Sequence, residues 1–158
     1  MRSKEALNMS NNYNEQYSRK FNIKVMNYPE QKEENIKSIF VDKIAKEDLN
    51  VTIEPNEIQA IHRIRGKTGE PSPILVKFIN SEVKTRVMRQ KKNLPPTIKY
   101  RLVDDVTKHN MGLITLLRNT KKFENVWYYN CAVYGKTESG SKYKFDILED
   151  IQKKLSKI

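Results

Sequence analysis

The chain has 158 residues, a formal net charge of +11 and one cysteine. That length suits one ordinary domain or two small ones, and a hydrophobic fraction of 37% allows only a modest core. No apolar run approaches the roughly 18 residues that span a bilayer, the N-terminus lacks the apolar stretch of a secretory signal, and Cys131 has no second cysteine to pair with, so an intracellular protein is expected, cytoplasmic and with the nucleus also open to it.

Residues 1–19 are polar and aperiodic and read as a disordered flank. Order is predicted to begin at FNIKVMNYP, where Phe21, Ile23 and Val25 alternate with polar neighbours as in a half-buried strand, stopped by Tyr28-Pro29. EENIKSIFVDKIAKEDL follows with apolar residues at helical spacing and Glu33 and Glu34 at its start, where a helix dipole favours anions. NEIQAIHRI and ILVKF read as two strands flanking a basic turn. Ser81 is expected to cap a second helix, EVKTRVMRQKKNL, which Pro95-Pro96 stops, and TIKYRLV supplies a fourth strand.

The order β-α-β-β-α-β predicts an α+β fold, a split βαβ sheet with two helices like that of RNA-recognition motifs, over residues 20–103. Residues 104–158 are read as a second, small α+β domain. Thr107 caps its helix, KHNMGLITLLRNTKK, with Met111, Ile114 and Leu117 on one side; VWYYNCAVYG gives two strands, SKYKFDI another, and LEDIQKKL a last helix.

The charge is unevenly placed. From Ala60 to Arg101 eleven Lys/Arg stand against Glu70 and Glu82, a net of +9, whereas Lys32 to Gln59 holds seven acids and four lysines. A basic half beside an acidic helix is the footprint of a face that meets a polyanion. Catalysis is not expected. No His/Cys/Asp cluster has metal-ligand spacing and no glycine-rich phosphate loop is present, so neither metal nor other cofactor is predicted. His62 reads as a polar edge residue, Cys131 as an unactivated thiol, and Asp104-Asp105 as helix-capping residues.

In an RNA-recognition motif, aromatic rings on the two central strands stack bases. Here Lys24 takes one of those positions, and Pro73 and Leu75 stand at others, so any grip is expected on phosphates, with little sequence preference. Trp127, Tyr128 and Tyr129 are the other stacking candidates. Alternation puts Trp127 and Tyr129 on one strand face, with one of them expected in the core.

The run AIHRIRGKTGEPSPILVKFINSEVKTRVMRQKK resembles the atypical RNA-recognition domain of LINE retrotransposon first-open-reading-frame proteins. The tail, with Asp105-Val106-Thr107 opening a helix, then Val126-Trp127-Tyr128-Tyr129-Asn130 and Phe145-Asp146-Ile147, is similar to the C-terminal domain those proteins share with the baculovirus few-polyhedra (FP) protein. The resemblance spans roughly residues 20 to 155. It implies single-stranded RNA or DNA held in a basic cleft between the two domains, with chaperone-like annealing and strand exchange, normally by a trimer joined through an N-terminal coiled coil. The matching cations are Arg63, Arg65 and Lys67 of the basic loop, Lys77 of the following strand, Arg86, Arg89, Lys91 and Lys92 of the second helix, and Lys99 and Arg101 beyond it. The chain departs from the family near Gly112, where an arginine is usual, and at Asn130-Cys131, where the hairpin usually has Asn-Gly; a different or strained turn is therefore expected. No heptad-bearing coiled coil is present, so self-association is not implied for these residues. The competing expectation is an RNA-recognition fold turned protein-interaction module, docking through its acidic first helix.

Overall fold

A computed structural model of the protein describes residues 3–145 and 151–158, with side chains described from Ser10 onward. The fold is α+β and divides into two compact units, Phe21–Asp105 and a second made of Met1–Lys20 with Val106–Ile158.

In the Phe21–Asp105 unit, strands β1 (Asn22–Met26), β2 (Ile58–Arg63), β3 (Ile74–Phe78) and β4 (Arg101–Asp104) form one antiparallel sheet in the order β2-β3-β1-β4. This is the order the split βαβ arrangement requires. Strand alternation sends Ile23, Val25, Ile74, Val76, Phe78 and Leu102 to one face, where all are buried. Two helices cover them: α2, a first turn at Ile36–Ser38 continued by Ile39–Asp48, and α3 (Ser81–Arg89). The body of α2 is π-wound, and its buried residues Phe40, Ile44 and Ala45, with the C-cap Leu49, recur every four to five positions. The wider i→i+5 turn, seen in Leu49 N donating to Ile44 O at 2.9 Å, keeps that spacing on one side. Phe40 meets Phe78 across the layers, ring centroids 5.9 Å apart. Each such side chain contributes about 1.5–3 kcal/mol by leaving water.

Several expectations are corrected here. Asn80, not Ser81, caps α3, its side chain accepting from Val83 N at 3.0 Å. The predicted strand 97–103 shortens to Arg101–Asp104, because Pro95 and Pro96 open a tight turn in which Ile98 N donates to Pro95 O. Asn35 caps α2; Glu33 lies outside the helix at φ +56° and Glu34 pairs with Arg63, so neither serves the helix dipole. Thr107, not Asp104 or Asp105, is the N-cap of the helix that follows: Asp104 pairs with Lys84 at 2.8 Å, while Asp105 accepts from Asn22 at 3.0 Å and lies 3.4 Å from Lys24.

The second unit corrects the disordered flank. Ser3–Ser18 is a helix, α1. Its buried Asn12 and Gln16 bond the start of α4 (Lys108–Asn119), where Thr107 caps as expected: Gln16 Oε1 accepts from Thr107 N and from Asn110 Nδ2, both at 2.9 Å, and Thr107 Oγ1 donates to Asn12 Oδ1 at 2.7 Å. Over its described side chains, Ser10–Ser18, α1 is held by these polar partners, and composition alone reads such a segment as disorder. Strands β5 (Asn125–Tyr129), β6 (Ala132–Lys136) and β7 (Lys142–Phe145) form an antiparallel sheet, followed by α5 (Ile151–Ser156). The expectations for Asp146, Ile147 and 148–150 lie outside the described residues. Leu113, Ile114, Leu117, Val126, Val133, Phe145 and Leu155 make the core; Met111, placed on the inner side by spacing, is exposed. Asn130 and Cys131 both take positive φ, +44° and +69°, as a type I′ hairpin turn demands, so the turn is kept and Cys131 carries the strain.

Candidate nucleic-acid interface

The face of the four-stranded sheet opposite the helices is fixed by register. Lys24 stands beside Leu75 on one side and Val103 on the other, and Leu75 beside His62; Lys77 lies between Asn22 and Ala60, and Met26 beside Arg101. No strand position on this face holds a Phe, Tyr or Trp ring, as the sequence led one to expect for the base-stacking positions; the one ring is the His62 imidazole, at an edge strand.

At one end of the face, Lys24, Met26, Asn27, Arg65, Gly66, Lys67, Glu70 and Arg101, with Ile64, Pro71 and Pro73, line a concavity of about 440 Å³. The loop that supplies most of this wall is held at its stem. Ile64 N donates to Pro73 O at 2.8 Å, and Ser72 N donates to Glu30 Oε1 at 2.7 Å, which holds the Glu30 carboxyl below the usual carboxylate range. Gly66 is required by close approach, since a Cβ there would fall 2.6 Å from the buried Pro73 ring; Gly69, at φ +86°, turns the tip.

Arg63 does not line the concavity. Its guanidinium donates to Glu34 Oε1 and Oε2 at 2.9 and 3.1 Å, to Tyr28 O and Ser72 O at 2.8 and 2.6 Å, and to Pro29 O at 3.1 Å. Those bonds tie β2, the segment after β1 and the returning loop together, and hydrogen bonding from Arg63 lowers the Glu34 pKa. Arg86 is also committed, to Glu82 and Glu57 at 2.9 and 3.2 Å, and these carboxylates raise its own pKa.

The ten predicted cations are therefore sorted into groups. Arg65, Lys67 and Arg101 converge on the concavity, and Lys77 shares the open sheet face. Lys99 is exposed in the approach to β4, its carbonyl accepting from Asn27. Arg89, Lys91 and Lys92 are exposed on α3 and the turn after it, in the layer that covers the opposite face, so they do not join the concavity. Among the described residues Arg65, Lys67, Lys77, Arg89, Lys91, Lys92, Lys99 and Arg101 enter no ion pair. Lys24 also lines the concavity, and charge counting over residues 60–101 leaves it out. Alternation in β1 already places it outward, and its charge is shared with Asp105.

In the second unit, Tyr128 is the ring that packs on the core, which corrects the expectation for Trp127 and Tyr129. The signal was available in phase: Tyr128 stands two positions after buried Val126 and opposite buried Val133.

Compared with known proteins, the sequence matches no family model and no curated relative. No helix among the described residues is long and apolar enough to cross a membrane.

Proposed function

We propose that this protein binds single-stranded RNA or DNA without catalysis and with little sequence preference, as a nucleic-acid chaperone of the kind its resemblance to LINE first-open-reading-frame and FP-type proteins implies. The observation that carries the reading is the concavity where Arg65, Lys67 and Arg101 converge, none of them in an ion pair among the described residues. A site of exposed cations beside a sheet face without Phe, Tyr or Trp suits phosphates, and phosphate contacts carry affinity rather than sequence.

The test is fluorescence anisotropy of a labelled single-stranded RNA across a salt series, wild type beside the double variant Arg65→Glu/Lys67→Glu. Arg63 is kept, because replacing it would dismantle the loop rather than discharge it. Each phosphate that the variant no longer neutralises flattens the slope of log K against log salt by about 0.7. A folded wild type that binds nothing at low salt would overturn the proposal and leave the interaction-module reading.

A further inference from the structure

The three-stranded sheet of the second unit has its own outward face. Opposite the core-facing Val126, Tyr128, Val133, Tyr143 and Phe145 stand Trp127 and Tyr129 on β5, Tyr134 and Lys136 on β6, and Lys142 and Lys144 on β7. Trp127 and Tyr134 are a register pair with rings nearly parallel, 13° apart in plane and 5.8 Å between centroids. The Tyr129 ring lies 6.5 Å from that of Tyr134 and is 66% exposed, the largest exposure among the large hydrophobic side chains of the described residues.

The charges on this face are of one sign. Lys144 stands opposite Tyr134, and Lys136 stands opposite Lys142. Like charges directly opposed across strands destabilise a sheet. No acid occupies an outward position on these three strands to relieve that pair, and none of the three lysines enters an ion pair among the described residues. Rings alone would be explained as a cross-strand ladder. Rings set among unrelieved cations match a polymer that alternates flat bases with phosphates.

We infer that this face is a base-stacking surface for single-stranded nucleic acid, with Trp127, Tyr129 and Tyr134 taking bases and Lys136, Lys142 and Lys144 taking the backbone. The inference rests on the proposed function for the identity of the polymer and adds the second unit as the part that reads bases as flat rings. Base–aromatic stacking tolerates every base, so this surface strengthens binding without conferring a sequence preference.

Trp127 is the one tryptophan in the chain, so its emission reports this face alone. The experiment titrates the full chain with oligouridylate and, separately, with an abasic oligonucleotide of the same phosphate count, reading Trp127 emission and anisotropy of the labelled strand together. The inference expects quenching by oligouridylate and none by the abasic strand. It also expects Tyr129→Ala, whose exposed ring can be removed without disturbing the core, to weaken oligouridylate binding about ten-fold while abasic binding stays as it was. Equal quenching by both strands, or oligouridylate binding by anisotropy with unchanged emission and unchanged Tyr129→Ala affinity, overturns the stacking surface and leaves the proposed function standing. Absence of binding by either strand overturns both.

Discussion

Arg63 Nε and Glu34 Oε1 lie 2.9 Å apart, with their side chains only 14% and 11% exposed. They join the start of the basic loop to the segment before α2. Breaking a buried pair by removing one member typically costs about 3–5 kcal/mol, because the other charge is left without its partner. This pair is part-buried, so Arg63→Met is expected to lower unfolding free energy in urea by about 1.5–3 kcal/mol, the range for hydrogen bonds to a charged group, whereas Arg65→Met stays within about 0.5 kcal/mol of wild type. Two arginines two residues apart thus have separate roles, and denaturation curves distinguish them.

Acid should find the same contacts. Glu34 is held below its ordinary 4.5 chiefly by hydrogen bonds from Arg63, and Glu57 below the same value chiefly by a backbone N–H of Glu54, then by Arg86. Carboxyls with lowered folded values contribute stability that is present above their unfolded values and is lost as pH falls through the folded ones. Unfolding free energy should thus decline as pH drops below about 4.5, with a shallower decline in Arg63→Met. Tyr100 acts at the other limit. Burial first, then its hydrogen bond to Asp48, pushes its phenol well above the ordinary 10.0, so its contribution is present below that pH and fades above it, and Tyr100→Phe should flatten the alkaline limb.

The cations of the helical layer should behave differently from those of the loop. Neutralising Arg89, Lys91 and Lys92 to Gln is expected to leave most of the salt slope intact, while Arg65→Gln with Lys67→Gln reduces its magnitude by about 1.4, the share of two phosphates. Side-by-side titrations at several salt concentrations check this; an equal reduction in both variants would place phosphates on α3 as well.

At the hairpin, Cys131 holds φ +69°, a conformation that costs a non-glycine residue about 1 kcal/mol or more. Cys131→Gly is expected to raise the thermal midpoint by about 4 °C. A fall instead would mean that the thiol, 4.0 Å from Gln16 O, outweighs the strain.

Gln16→Leu removes the acceptor of two buried donors, Thr107 N and Asn110 Nδ2. Each orphaned donor costs about 1–3 kcal/mol, so amide hydrogen exchange in Asn12–Ser18 should quicken markedly.

The strands were readable because Ile23 and Val25 alternate with Asn22 and Lys24, which declares both strand and buried face, and because Ile74–Phe78 is a short apolar run bounded by Pro73 and Asn80. Helix α1 was not, since Asn12 and Gln16 are helpful only once Thr107 and Asn110, more than ninety residues away, stand beside them. The candidate site divided the same way. Charge density pointed to the loop, but which arginine remains available depended on Glu34, distant in sequence, taking Arg63 and leaving Arg65. That α3 lies across the sheet from Lys77 follows from topology, which residue counting within a basic window does not consult.

The chain leaves the second unit at Phe21 and rejoins it at Val106, and across that gap β1 and β4 are neighbours, Ile23 facing Asp104. The four-stranded unit is thus an insert whose two ends emerge side by side. During synthesis it can close before the partner of α1 has been made, leaving α1 waiting on the ribosome for Thr107 and Asn110. For the same reason, 21–105 can be expressed as a self-sufficient piece, whereas 106–158 needs α1 stitched back through a short linker to recover the partners of Thr107 and Asn110.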